Sequence, residues 1–300
     1  MSADSGLTRR QLLLSGAAAT GYALAAGPVR ASAIDTSAAG LEAGMVEIDA
    51  AGAPMPAYRA APSAGQGLPV VLVVHEIFGL HEYVRDVCRR LAHEGYLAIA
   101  PDLYCRVGDP TTIADIGALV REVVAMVPDA TVLSDLDATL AWAAGQRGDP
   151  ERAFVTGFCW GGRIVWLYAA QRPQLRGGAA WYGRLEGESS ELHARHPLQL
   201  AAGDLAPVLG LYGSADRGIP LASVQLMRRQ LAEAGQASEI LVFPAAPHGF
   251  HADYRPSYRE LAAREGWGQM LRWFGERGGV ALPTPAPVLQ GPGGTPAADS

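Results

Sequence analysis

The chain has 300 residues, a formal net charge of -6 and a 49% hydrophobic share, enough to bury a full core in one or two domains. The body carries no long basic run, which argues against nucleic acid or an anionic membrane as the main partner. Its three cysteines, Cys88, Cys105 and Cys159, lack metal-finger spacing and imply no disulfide framework.

Residues 1–33 read as an export signal of the twin-arginine type. Thr8-Arg9-Arg10-Gln11-Leu12-Leu13-Leu14 leads into an apolar run, and Ala31-Ser32-Ala33 closes it with an A-x-A cleavage site. The run is short and rich in Gly and Ala, which suits a transmembrane helix poorly, although an uncleaved N-terminal anchor stays open. The expectation is a periplasmic protein with no stable membrane contact after cleavage. Export in a folded state would suit an enzyme with a reactive thiol. Residues 34–44 look like a linker, 45–280 like one α/β domain, and 281–300 like a disordered tail rich in Pro, Gly and Ala.

Apolar runs alternate with amphipathic segments along the body. The β-branched, uncharged run from Pro69 to His75 predicts a buried strand. Tyr83 to Glu94 has helical spacing and stops at Gly95. Tyr96 to Ala100 is a strand closed by Pro101. Thr112 to Val127 and Ala130 to Ala144 read as helices split by Pro128. Arg152 to Thr156, Ala179 to Tyr182, Pro207 to Tyr212 and Glu239 to Phe243 read as strands. Leu221 to Ala234 and Tyr258 to Phe274 read as helices. Repeated βα units imply a mostly parallel sheet with helices on both faces, and reactive groups then gather at the carboxyl ends of strands.

Gly157-Phe158-Cys159-Trp160-Gly161-Gly162 lies between a strand and a helix-like run. It reads as a nucleophile elbow of the G-x-S-x-G kind with cysteine in place of serine. Glycines fit a turn so tight that a Cβ would clash. The helix start beneath offers free N–H groups and a positive dipole end, which favour a thiolate. A buried structural cysteine is the plain alternative.

Two later strand ends carry Gly213-Ser214-Ala215-Asp216 and Pro247-His248-Gly249-Phe250. An α/β-hydrolase needs nucleophile, acid and histidine in that chain order, and Cys159, Asp216 and His248 satisfy it. Asp216 as a mere cap or turn former, or Asp204 as the acid, are the competing readings. After the first strong strand comes His75-Glu76-Ile77-Phe78-Gly79-Leu80. In such a fold the backbone N–H groups of Ile77 and Trp160 would form an oxyanion hole. Glu76 beside the nucleophile is expected to share a hydrogen bond or proton with Cys159 and to move away when substrate arrives, with a surface Glu at a strand end as the plain alternative. Tyr104, Trp160, Trp181, Tyr182 and Phe250 are candidates for an apolar pocket over the sulfur, with Tyr104, Trp181 and Phe250 taken as substrate-binding, although plain core packing is an alternative for all five.

The stretches VVHEIFGL, GYLAIAPDLY, GFCWGG, LYGSAD and PHGFHADYRPSY resemble the dienelactone hydrolase family, over residues of about 45 to 275. The resemblance implies an α/β-hydrolase that opens an unsaturated lactone, with Cys159, Asp216 and His248 as triad and Glu76 controlling the thiol. It also implies arginines that clamp a substrate carboxylate. Gly117 or its neighbours and Ala252 stand at those positions here, with Arg106, Arg121 and Arg255 nearby. The substrate expected is a small ester or lactone, with no cofactor and no metal. Two rivals remain at this level. His75, His81, His248 and His251 recur in sequence as if for a metal, although no H-E-x-x-H is present. A redox-sensing or non-catalytic binding protein on the same scaffold is the other.

Overall fold

The computed structural model describes residues 34–281, so the leader 1–33 and nearly all of the tail 281–300 fall outside the described residues. The described residues form an eight-stranded sheet. Its strands are β1 (Leu41–Ala50), β2 (Ala53–Pro62), β3 (Leu68–Val74), β4 (Leu97–Pro101), β5 (Gly148–Phe158), β6 (Gly177–Trp181), β7 (Val208–Gly213) and β8 (Glu239–Phe243). The order across the sheet is β1-β2-β4-β3-β5-β6-β7-β8. Only the β1/β2 and β2/β4 pairs are antiparallel; the rest are parallel.

Among the described residues six α-helices accompany it: α1 (Glu82–His93), α2 (Ile116–Glu122), α3 (Asp129–Ala144), α4 (Trp160–Gln171), α5 (Leu221–Glu233) and α6 (Glu260–Gly275). Small residues mark where helices press on strands. A Cβ on Gly178 or Gly210 would strike Val165 or Trp166 of α4, and one on Gly266 of α6 would strike the Trp181 ring from the opposite face. This is the mostly parallel, two-faced α/β architecture expected of an α/β-hydrolase. Among the described residues no helix is long and apolar enough to cross a membrane.

Three boundaries differ from the sequence reading. The segment 34–44 is not a free linker, because Leu41 already opens β1, and residues ahead of it bond to α1. The β1–β2 hairpin itself was absent from that reading. It turns on Ala51 and Gly52, both with positive φ, which suits the right-handed strand twist. The expected 112–127 helix is broken into two short 3-10 turns around α2. Asp115 caps α2 by accepting from the Ala118 N–H, which fixes the helix start within the segment.

The crossing of β5 into α4 leaves no room for a side chain. A Cβ on Gly161 would lie 2.4 Å from the Val74 carbonyl oxygen and 2.6 Å from that of His75. Both obstacles are backbone of β3 and its following loop, so neither yields cheaply. Gly161→Ala is therefore expected to lower stability by about 1–3 kcal/mol in urea unfolding. A midpoint equal to that of the parent protein would contradict the packing described.

Candidate active site

The loop between β5 and α4 holds Cys159 with φ 56° and ψ -112°. A non-glycine residue at such φ is strained by roughly 1–3 kcal/mol and survives only where the surroundings enforce it. Enforcement is visible on both sides. The Cys159 N–H donates to Trp181 O, and the Arg163 N–H of α4 donates to Cys159 O. A Cβ on Gly157 would meet Gly161 O at 2.4 Å, so the turn closes on itself.

The strained turn aims the sulfur at the ends of β7 and β8. His248 Nε2 lies 3.1 Å from Cys159 Sγ, and His248 Nδ1 donates to Asp216 Oδ2 at 2.8 Å. Asp216 Oδ1 is fixed in turn by the Gly218 and Ile219 N–H groups. Asp204 is exposed and takes no part in this chain of contacts. Burial alone pushes the His248 pKa down, but negative charge on Cys159 and the Asp216 carboxylate outweigh it and raise it to about 10. Cys159, Asp216 and His248, far apart in sequence, thus converge, and Cys159 is itself buried, at 1% exposure, where the turn was expected to expose its sulfur. Cys88 is buried inside the core, which pushes its thiol pKa up.

Glu76 is also fully buried, yet it does not turn to the sulfur. Its Oε2 accepts from the Tyr254 hydroxyl, and its Oε1 pairs with Arg255 Nη2 at 3.3 Å. This corrects the expectation of a shared hydrogen bond with Cys159. Arg255 Nε donates to the Tyr254 hydroxyl, and its guanidinium lies 5.2 Å from the Phe78 ring centroid. Burial opposes the charge on Arg255, but Glu76, Tyr254 and Cys159 more than offset it and raise its pKa. Burial and the Glu76 charge raise that of Tyr254, so the phenol stays a neutral donor. The loop after β8 thus brings in Tyr254 and Arg255, neither of which had an assigned role in sequence. The signal for Arg255 was weak because it is out of register with the family position. Arg106 is committed instead to Asp135 at 2.6 Å.

The backbone N–H of Ile77 meets no acceptor among the described residues, and that of Trp160 opens α4, where helical acceptors are lacking. His75 fixes this corner. Its Nδ1 lies 2.7 Å from Glu76 O, its Nε2 accepts from the Leu103 N–H, and its ring stacks on Trp160. Tyr104 packs edge-on against the same imidazole, 4.6 Å between centroids.

Trp181 is a correction: it belongs to the core on the α6 face. Its Nε1 donates to Thr156 Oγ1, and its ring stacks on Phe158 and covers Gly266. The next residue, Tyr182, takes the site-facing place. Its φ is 39°, its ring centroid stands 5.1 Å from that of His248, and its buried hydroxyl has no hydrogen-bond partner among the described residues. Phe250 is fully buried and packs against Tyr182 and Phe243. His251 bonds to the Tyr83 hydroxyl at 2.6 Å and stacks on Phe158, so it serves packing. Among the described residues, no three or more His, Cys, Asp or Glu side chains are placed to hold one metal ion.

A model of the dienelactone hydrolase family matches residues 55–278. A Salmonella typhimurium protein named "Putative carboxymethylenebutenolidase" is 53% identical over 261 residues, covering 87% of this chain and 97% of its own. A Methylorubrum extorquens protein of the same name is 51% identical over 280 residues, covering 93% and 96%. A crystal structure described as "Putative Dienelactone Hydrolase" from Klebsiella pneumoniae has 55% identity and a TM-score of 0.76, covering 78% of this chain and 98% of that one.

Two outcomes test the electrostatics. Arg255→Met leaves Glu76 buried without its cation and is expected to cost on the order of 3–5 kcal/mol of stability; a loss below about 1 kcal/mol would show that the pair is not buried as described. The His248 ring holds its proton to about 10, against an ordinary value of 6.5. A raised folded-state value means that its stabilisation is complete below pH 6.5 and fades as pH rises through about 10. In Cys159→Ala the sulfur's contribution disappears and burial remains, so the imidazole titration followed by NMR should move to lower pH. An unmoved titration would contradict the charge coupling.

Proposed function

The chain belongs to the dienelactone hydrolase family, and on that premise we propose that it hydrolyses a small ester or lactone through a thioester on Cys159. The observation that carries this reading is the unbroken line from Cys159 Sγ through His248 to Asp216, at 3.1 and 2.8 Å. In the proposed reaction the sulfur attacks the carbonyl carbon, and the π electrons move onto oxygen. The resulting oxyanion takes hydrogen bonds from the Ile77 and Trp160 N–H groups. Collapse expels the alcohol or enol oxygen, which receives the proton held on His248 Nε2. Water then enters, gives a proton back to His248 and releases the acid and the free sulfur. Asp216 keeps Nδ1 protonated throughout, so Nε2 is the nitrogen that exchanges protons.

A thiolate is both a good nucleophile and a good leaving group. It therefore suits substrates whose oxygen leaves easily, such as enol esters and enol lactones, and serves amides poorly. Glu76 fits beside the site because Tyr254 and Arg255 take up its charge, which would otherwise oppose the oxyanion. Tyr182, with its unengaged hydroxyl, supplies a polar contact for the bound acyl group or its leaving oxygen.

Hydrolysis of p-nitrophenyl acetate tests the proposal. Turnover blocked by iodoacetamide, indifferent to chelators and lowered by at least about 10³-fold in Cys159→Ala supports it. Activity retained in Cys159→Ala, or lost to a chelator, overturns it.

A further inference from the structure

Residue 34 is the first after the A-x-A signal, and it is already seated in the fold. Its backbone nitrogen donates to Asp253 Oδ2 at 2.8 Å. Beyond it the chain stays fastened: the Thr36 N–H donates to Asp86 Oδ1, Arg89 Nε donates to Thr36 O, and Ser37 O bonds with His93 Nε2. The Ile34 side chain lines a cleft of about 260 Å³ together with Thr36, Arg90, His251, Tyr258 and Trp267. A terminal segment is ordinarily loose unless something ties it down, and here the tie is a carboxylate whose side chain is 0% exposed.

That carboxylate is incompletely satisfied. Asp253 Oδ2 is shared by the Ile34 nitrogen and Arg90 Nη2, the latter at 3.4 Å, whereas Oδ1 is buried and accepts no hydrogen bond among the described residues. Four acids, Asp35, Glu82, Asp86 and Asp253, draw on Arg89 and Arg90, and Arg264 lines the same cleft. Asp86 and Glu82 engage Arg89, and Asp86 also takes Arg90 at 2.5 Å. Burial and the neighbouring Asp86 charge raise the Asp253 pKa, while the Ile34 N–H and Arg90 lower it. A peptide N–H offers one donor and no charge. An α-ammonium offers three donors and a full positive charge at the same atom.

We propose that the protein is processed between Ala33 and Ile34, and that Asp253 is the receptor for the α-ammonium so released. The proposal rests on the A-x-A reading of Ala31-Ser32-Ala33 together with the seat of Ile34. In the cleavage, an exported signal protease adds water across the Ala33–Ile34 amide. The carboxylate stays with Ala33 and the ammonium with Ile34. The ammonium keeps its bond to Oδ2, supplies the missing donor to Oδ1 and balances the Asp86–Asp253 pair. Asp253 stands immediately before Tyr254 and Arg255, so one short loop carries both the receptor for the new N-terminus and the clamp on Glu76.

The test uses the full chain with Arg30→Ile, Ala31→Glu, Ser32→Gly and Ala33→Arg, which places a factor Xa site so that cleavage frees Ile34. Thermal unfolding is compared before and after cleavage at pH 7. The proposal expects Tm to rise by about 2 °C or more on cleavage, and the rise to vanish in Asp253→Asn or after acetylation of the freed amine. No rise, or a rise that persists in both controls, overturns it. A second reading does not need the variant to fold: the freed amine, reductively methylated with ¹³C and titrated by NMR, should ionise above the ordinary α-amine range of about 7.7–8.0, because an opposite charge favours the protonated form. An ordinary titration overturns the receptor. N-terminal sequencing of the exported, unmodified chain should begin at Ile34, and any other first residue overturns the processing site.

Discussion

One backbone conformation governs the site: Cys159 at φ 56°, held between the end of β5 and the start of α4. The strain is tolerated because there is no room for an alternative. Gly157, Gly161, Gly162 and Gly183 bring backbones so close that a Cβ on any of them would lie within 2.6 Å of main-chain atoms. The glycines buy this approach with conformational entropy, which the sheet on either side offsets. The same closeness sets the sulfur at the carboxyl edge of the parallel strands. There the loops after β3, β7 and β8 bring Glu76, Asp216 and His248 to it.

The second constraint is charge. Several ionisable groups are almost fully buried around one sulfur, and each has a partner of opposite sign or a hydrogen bond. Asp216 balances His248, and Arg255 balances Glu76 with Tyr254 bonded to both. Removing one member would strand a charge at a cost of several kcal/mol. This mutual dependence explains why a carboxylate can stand close to a site where negative charge develops.

Much of this was legible in the chain itself. The central strands show as short β-branched runs because parallel strands are buried on both faces. The elbow shows because its glycines are a steric requirement, and the order of Cys159, Asp216 and His248 follows from the order of strand ends. The β1–β2 hairpin did not show. Its strands, LEAGMVEIDA and APMPAYRAAP, mix Gly, Pro and Ala into an edge with one exposed face. Trp181 and Tyr182 exchange places because β6 ends at Trp181 and the chain turns at Tyr182 with φ 39°, which composition does not reveal. The partner of Glu76 was hidden for another reason: Tyr254 lies 178 residues further on, and only the closed sheet brings the two together.

The account stands on covalent chemistry at one sulfur, and the direct measurement is peptide mass spectrometry of protein acid-quenched within its first turnover of p-nitrophenyl acetate. The account predicts an acetyl group on the peptide that carries Cys159, appearing with the first burst of p-nitrophenol and disappearing as the ester is consumed. Steady release of p-nitrophenol with that peptide unmodified, or with the acetyl group on another residue, would contradict it.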